Sequence, residues 1–153
     1  MKTIYLAGAL FSEAEQSWLR DLKEKLLNVN TSYHVVWPFE LISEDEIKKL
    51  GATANTHIFE VCRTHLETTQ ILVAILDGAM VDDGTAWEVG YYYAKKSKTD
   101  KIIGVRTDFR RAGETDASTV NAMIECACDQ IVYSSNALIE FLDSLQGKGL
   151  CNK

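Results

Sequence analysis

Short apolar runs alternate along the chain with longer segments in which apolar residues recur at helical spacing. Such runs, rich in β-branched and aromatic residues, predict strands at residues 2–7, 33–37, 71–76, 101–106 and 130–133. The run ILVAIL at residues 71–76 contains no polar residue. This pattern is typical of a strand that is buried on both faces of a parallel sheet.

Helix-start signals lie between these runs. Ser12 precedes Glu15 by three residues, and Ser43 precedes Glu46 by the same spacing, which is the capping-box pattern. Helical spacing predicts further helices at residues 54–69, 85–96, 121–128 and 137–145. Because strand and helix alternate throughout, we expect a doubly wound, flavodoxin-like parallel sheet of about five strands flanked by helices.

Length and composition favour one soluble domain over residues 1–153, with 46% apolar residues to build its core. The apolar stretch in the opening MKTIYLAGALF is too short for a secretory signal. No stretch approaches the roughly 20 apolar residues that cross a bilayer. We therefore expect a cytoplasmic protein with no membrane contact.

The net charge and the cysteine spacing limit which ligands and partners we expect the protein to bind. A net charge of −6 disfavours nucleic acid, because an acidic surface repels phosphate backbones. The four cysteines, Cys62, Cys126, Cys128 and Cys151, show no paired C-x-x-C spacing. We expect reduced thiols and no metal site.

The segment after the third predicted strand carries four carboxylates within twelve residues: Asp77, Asp82, Asp83 and Glu88. Ligands of open α/β sheets bind at the carboxyl ends of the strands, so this segment is the first candidate for chemistry. One interpretation is purely structural. Thr85 and Glu88 fit a capping box, and the aspartates would then complement the helix dipole.

The other interpretation makes Glu88 a nucleophile. Its neighbours Trp87, Val89 and Gly90 would partly desolvate the carboxylate, while the helix N-terminus would keep it ionised. Tyr5, near the end of the first strand, is placed to donate a hydrogen bond to that carboxylate across the crevice. Alternatively, Tyr5 is a core residue with its hydroxyl at the rim.

Three segments, TIYLAGALF, DDGTAWEVGYYYA and NAM, resemble in that order the signature regions of the nucleoside 2-deoxyribosyltransferases. The match runs from Lys2 to Met123, and the middle segment is the most specific of the three. The resemblance implies transfer of a 2-deoxyribosyl group between nucleobases through a covalent glutamate ester. Retention, ping-pong kinetics and slow hydrolysis without an acceptor base would follow. The implied partners are deoxynucleosides and free bases, and no cofactor is implied.

The resemblance also implies roles for single residues. Glu88 matches the nucleophile, Tyr5 the tyrosine that holds it, and Asp82 the aspartate that binds deoxyribose hydroxyls. Phe11 matches an aromatic residue near the base.

Asn121 and Met123 match residues that reach into the pocket of a neighbouring subunit, which implies a homo-oligomer with shared sites. Cys62 stands where some family members have an aspartate or asparagine that contributes to base binding or proton transfer. A thiol is a poor acid for that task. Asp77 and Asp83 are the candidate substitutes, so the base-protonating group and the base preference stay open.

Two other functions compete with this one. A 2′-deoxynucleoside 5′-monophosphate N-glycosidase of related fold would hydrolyse rather than transfer, and it would need a phosphate clamp near the end of the first strand. The turn at residues 8–11, GALF, is apolar and favours free nucleosides. A non-catalytic nucleotide-binding domain would use the carboxylates only as caps.

Overall fold

The computed structural model describes residues 1–29 and 33–147 of the chain. It contains one sheet with the strands β1 (Lys2–Ala7), β2 (Tyr33–Val36), β3 (Ile71–Ile75), β4 (Lys101–Val105) and β5 (Gln130–Val132). The strand order is β2-β1-β3-β4-β5, and every neighbouring pair is parallel. This order is the flavodoxin-like one, so the predicted fold class is confirmed.

The helices are α1 (Glu13–Val29), α2 (Glu44–Leu50), α3 (Ala54–Thr68), α4 (Asp83–Lys95), α5 (Ala122–Glu125) and α6 (Ser135–Gly147). The capping box predicted before α1 is confirmed. The Ser12 amide donates to the Glu15 carboxylate at 2.8 Å, and the Glu15 amide donates to the Ser12 hydroxyl at 3.2 Å. The Ser43 hydroxyl likewise accepts from the Glu46 amide at the start of α2, at 3.3 Å.

The observed helix bounds differ from the predicted ones: α3 ends one residue earlier, α6 is longer by two residues at each end, and α4 and α5 differ near the candidate site. We expected α4 to begin at Thr85, but it begins at Asp83 and is capped by Asp82. Asp82 Oδ2 accepts from both the amide and the hydroxyl of Thr85, each at 2.9 Å. The helix α5 is shorter than the predicted span, since only residues 122–125 are helical, and Asn121 is its cap.

The sheet separates two apolar layers. Ile4 and Leu6 pack with residues of α1 and α6, whereas Tyr5 and Ala7 pack with residues of α3 and α4. The first four residues of β3 are buried and contribute alternately to both layers, as its unbroken apolar run predicted. The side chain of Tyr5 therefore enters the layer that holds α4.

A buried arginine fixes the loop between β3 and α4. Arg106 is 1% exposed, and its guanidinium donates to the carbonyls of Leu76, Gly78 (2.9 Å) and Arg110 (2.7 Å). Gly78 has a φ of +110°, a conformation that favours glycine. Charge-assisted bonds to backbone carbonyls are among the stronger hydrogen bonds in proteins. The buried Arg106 guanidinium therefore stabilises the conformation of this loop.

Three of the cysteines, Cys62, Cys126 and Cys128, are free thiols. Cys151 lies outside the described residues. Across the two described ranges, no helix combines the length and apolarity needed to cross a membrane.

Candidate active site

Glu88 lies on the second turn of α4 and points toward the sheet. Its Oε1 accepts a hydrogen bond of 2.5 Å from the hydroxyl of Tyr5. Tyr5 is fully buried on β1, the strand next to β3. The capping-box interpretation of Glu88 is wrong, because the Thr85 amide that it would need already donates to Asp82.

The protonation of this pair is set mainly by burial. The pKa of Glu88 is raised to about 7: burial and the nearby charge of Asp82 raise it, and the hydrogen bond from Tyr5 opposes both effects. We expected the helix N-terminus to keep this carboxylate ionised, but desolvation dominates. Burial, followed by the charge of Glu88, also raises the pKa of Tyr5 far above neutrality. The phenol therefore stays protonated and donates.

Cys62 adjoins the pair from α3. Burial raises the pKa of its thiol, the Glu88 charge adds to the rise, and a hydrogen bond with Tyr5 opposes it. The group is therefore a neutral thiol at physiological pH, because its unperturbed pKa is already about 8.5.

A cavity of about 690 Å³ opens beside Glu88 at the carboxyl end of the sheet. The turn after β1, the segment after β2, and helices α2, α3 and α4 all contribute to its wall. Asp82, Thr85 and Glu88 line it together, and Phe11, 78% exposed, lies at its mouth. The cavity thus brings together four of the residues that the sequence singled out or matched: Phe11, Cys62, Asp82 and Glu88.

A second cavity, of about 400 Å³, also touches Glu88. It shares Cys62 and Glu88 with the first cavity and is lined by Phe59 and Trp87. These two rings are 46% and 45% exposed, and they meet edge to face with centroids 5.3 Å apart. Glu88 thus lines two adjoining cavities.

Two candidate carboxylates point elsewhere. Asp77 accepts from the amides of Thr107 (2.6 Å) and Asp108 (2.9 Å), which ties the loop after β3 to the loop after β4. Its cavity is a smaller one of about 280 Å³, which also touches Asp82. Asp83 is exposed, accepts from the adjacent amide of Gly84, and does not line the cavity beside Glu88.

Asn121 and Met123 are exposed at the start of α5 and do not line the cavity of their own chain. Asn121 Oδ1 accepts from the Met123 amide at 3.0 Å, and the Asn121 side-chain amide donates to Glu114. Met123 is 81% exposed. Both residues therefore lie on the protein surface, away from the cavity of their own chain.

A family model described as Nucleoside 2-deoxyribosyltransferase matches residues 4–123. The chain belongs to the nucleoside 2-deoxyribosyltransferase family. An uncharacterized protein of Ureaplasma parvum serovar 3 is 33% identical to it over 117 residues, covering 70% of this chain and 71% of that protein.

Solved structures share the fold. A 2-deoxyribosyltransferase from Bacillus psychrosaccharolyticus superposes with a TM-score of 0.75 at 21% identity, covering 94% of this chain and 95% of that one. A conserved protein from Enterococcus faecalis V583 gives 0.74 at 24% identity, covering 94% and 98%. A 2-desoxiribosyltransferase from Leishmania mexicana gives 0.69 at 20% identity, again covering 94% and 98%.

Sequence reasoning missed one wall of the cavity in this nucleoside 2-deoxyribosyltransferase family member. Phe39, Ile42 and Ile47, from the segment between β2 and α3, and Ile58 of α3 all line it. In the hydrophobic pattern of the sequence, apolar residues that line a cavity look the same as residues of the core. No sequence pattern distinguishes these residues, and only the structure shows that Phe39 and Ile47 are 38% and 36% exposed and that α2 buries none of its residues.

Proposed function

We propose that this chain transfers a 2-deoxyribosyl group between nucleobases, with Glu88 as the nucleophile. One observation carries the proposal. The Glu88 carboxylate lines a cavity of about 690 Å³ and is held by a buried phenol from another strand instead of capping its own helix. Membership of the nucleoside 2-deoxyribosyltransferase family supports the same activity.

In the first half-reaction the bond between C1′ and the base nitrogen breaks and the sugar takes on oxocarbenium character. Ionised Glu88 stabilises that charge and then forms a C1′–O ester, while the departing base takes up a proton from solvent. Only the carboxylate form is a nucleophile. A Glu88 pKa of about 7 leaves a substantial ionised fraction at neutral pH, and a developing cation beside it favours ionisation further.

In the second half-reaction the acceptor base attacks C1′ on the face that the first base left. The C1′–O bond to Glu88 breaks, the new C1′–N bond forms, and the acceptor N–H proton passes to solvent. Two displacements give overall retention, as in retaining glycosidases with a carboxylate nucleophile. Without an acceptor, water takes its place slowly.

Tyr5 and Asp82 have distinct parts. The Tyr5 phenol fixes the orientation of the Glu88 carboxylate. Within the described residues only Oδ2 of Asp82 is engaged, by Thr85, which leaves Oδ1 for a hydroxyl of the deoxyribose. Asp82 thus both caps α4 and binds the sugar.

A second copy of the chain completes the site in this proposal. Asn121 and Met123 are exposed and lie outside their own cavity, while the second cavity leaves Glu88 open beside the exposed rings of Phe59 and Trp87. An exposed apolar patch next to an open site is typical of a surface that another chain covers. Asn121 of the neighbour would then reach the sugar hydroxyls.

Free nucleosides fit the cavity better than 5′-monophosphates. Of the described residues that line it, none is lysine, arginine or histidine, whereas Glu44, Asp82 and Glu88 are acidic. A phosphate would enter an acidic pocket with no cation to pair with it. We expect turnover of deoxyinosine and little or none of its monophosphate, and the reverse preference would favour the N-glycosidase.

The decisive experiment is transfer from thymidine or deoxyinosine to adenine by Glu88→Gln and Glu88→Ala. Both variants should lose transfer while staying folded by circular dichroism. Glu24→Gln, an exposed change on α1, is the matched control and should behave as the parent chain. A slow fluorinated deoxynucleoside should add a deoxyribosyl mass to the intact parent chain only. Near-normal transfer by either Glu88 variant overturns the proposal, and the absence of both transfer and adduct in the parent favours a binding domain.

A further inference from the structure

The polar side chains that line the Glu88 cavity fall mainly into two groups. Asp82, Thr85 and Glu88 form the first group, at the start of α4. Ser43 and Glu44 form the second group, at the start of α2. Because C1′ must meet Glu88, the sugar contacts the α4 group. The base must therefore contact the rest of the cavity wall.

Outside these two groups the wall is mainly apolar and includes Leu10, Pro38, Phe39, Ile42, Ile47 and Ile58. Cys62 is the one described lining side chain outside the two groups that has a heteroatom, and a neutral thiol is a weak donor and a weak acceptor. The edges of a base would therefore contact mainly carbon.

The α2 group, Ser43 and Glu44, offers little hydrogen-bond discrimination. The Glu44 side chain is 89% exposed and pairs with Lys48 at 3.7 Å, so water competes for its oxygens. The Ser43 hydroxyl already accepts the Glu46 amide as the cap of α2. Neither group is a desolvated partner for the edge of a base.

We infer that the base subsite selects its heterocycle by size and flatness, without a side-chain hydrogen bond to the base edge. The inference rests on the proposed function and specifies its acceptor class as flat, bicyclic or monocyclic nitrogen heterocycles, including ones that lack exocyclic polar groups. A site built on buried hydrogen bonds rejects an analogue without the matching group by roughly 10⁴-fold, because its own groups are left unpaired. An apolar wall has no polar groups to leave unpaired, so it does not discriminate against such an analogue in this way.

The test is an acceptor series with deoxyinosine as donor. Adenine, hypoxanthine and benzimidazole share one bicyclic shape, but benzimidazole has no exocyclic group and no nitrogen in its six-membered ring. In each case the C1′–N bond forms as the ester to Glu88 breaks, and the N–H proton leaves to water. KM is the readout, because the three nitrogens differ in basicity and would differ in kcat for chemical reasons.

We expect the three KM values to lie within about 10-fold of one another, because burial of similar apolar area dominates binding. A KM for benzimidazole raised 100-fold or more over that for adenine, with adenine transfer intact, overturns the inference and leaves the proposed function standing. Failure of transfer to every acceptor overturns both.

A variant gives the inference a second test. Ile42→Asn places an amide in the wall just before the cap of α2. Benzimidazole leaves that amide unpaired, whereas adenine can pair with it, so the KM ratio of benzimidazole to adenine should rise about 10-fold. Leu27→Asn, an exposed change on α1 away from the cavity, is the matched control and should leave the ratio unchanged. An unchanged ratio in Ile42→Asn contradicts the placement of the base.

Discussion

Tyr5 and Glu88, separated by 83 positions in the chain, are joined by a hydrogen bond of 2.5 Å between phenol and carboxylate. The bond runs from the central part of the sheet to the second turn of α4. It lowers the pKa of Glu88, while burial and the charge of Asp82 raise it. The reactivity of Glu88 is therefore set by a balance that single substitutions can shift in a known direction.

Tyr5→Phe removes the hydrogen bond that favours the ionised form of Glu88. The pKa of Glu88 is about 7 in the parent chain and should rise by about one unit in the variant. Since transfer needs the carboxylate, the acid limb of kcat/KM against pH should move upward by the same amount, and activity at pH 7 should fall about 5-fold. Tyr93→Phe, on the exposed side of α4, is the control. An acid limb that stays in place shows that Tyr5 does not tune Glu88.

Glu88→Gln should change how stability depends on pH. A carboxyl whose pKa is raised to about 7 by folding binds its proton more tightly in the folded state. Folding stability from this group is then present at low pH and is lost as pH rises from the ordinary glutamate value, about 4.3, through about 7. Because glutamine does not ionise, the Glu88→Gln variant does not lose this folding stability as pH rises.

Urea unfolding at pH 5 and pH 8 measures the difference. Relative to the parent, Glu88→Gln should gain stability toward pH 8, by up to about 3 kcal/mol. Glu24→Gln should show no pH-dependent difference, since that side chain is exposed. A parent and a Glu88→Gln variant with parallel pH profiles would mean that Glu88 is not desolvated in the folded chain.

Asp82 combines a cap with a proposed sugar contact, and two substitutions separate these roles. Asp82→Ala should lose about 1 kcal/mol of folding stability because the Thr85 amide loses its acceptor. Asp82→Ser keeps a capping oxygen and should remain close to the parent in stability. Both should raise the donor KM at least about 10-fold through loss of a charge-assisted hydrogen bond. If only Asp82→Ala raises KM, the role of Asp82 is confined to the cap.

Sharing of sites between chains can be tested by complementation. Asn121→Ser keeps the α5 cap but removes the side-chain amide. Co-expressed with Glu88→Gln, it should restore about a quarter of parental activity for a two-fold pair mixed at random, because one combined site per mixed dimer has both residues. Each variant alone should be weak. No recovery on co-expression, or full activity in a stable monomer, contradicts the shared site.

Local sequence patterns predicted most of the fold, because each pattern depends only on residues that are close together in the chain. The capping box at Ser12 and the apolar run of β3 need no distant partner to form. The start of α4 was misplaced because two capping patterns overlap there. Asp82 and not Thr85 is the N-cap of α4, because the Asp82 carboxylate accepts hydrogen bonds from both the amide and the hydroxyl of Thr85.

The site was predictable only where a residue type is unusual for its position. A glutamate among apolar neighbours and a tyrosine in a buried strand both stood out, and the structure places them in contact. Phe39, Ile42 and Ile47 did not stand out, because a residue that lines a cavity has the same composition as one that fills a core. The bonds that Asp77 accepts from the amides of Thr107 and Asp108 were not predictable, because they depend on a loop that no pattern predicts.

Adjacent positions of β1 face opposite layers of the molecule, with Tyr5 toward α4 and Leu6 toward α1. A slip of one position in the pairing of β1 would exchange the two and bury the phenol on the wrong side of the sheet. Enzymatic turnover would then vanish even if secondary structure and compactness survived. Recovery of activity after denaturation is therefore a direct gauge of correct strand alignment, and a stricter one than any spectroscopic signal of refolding.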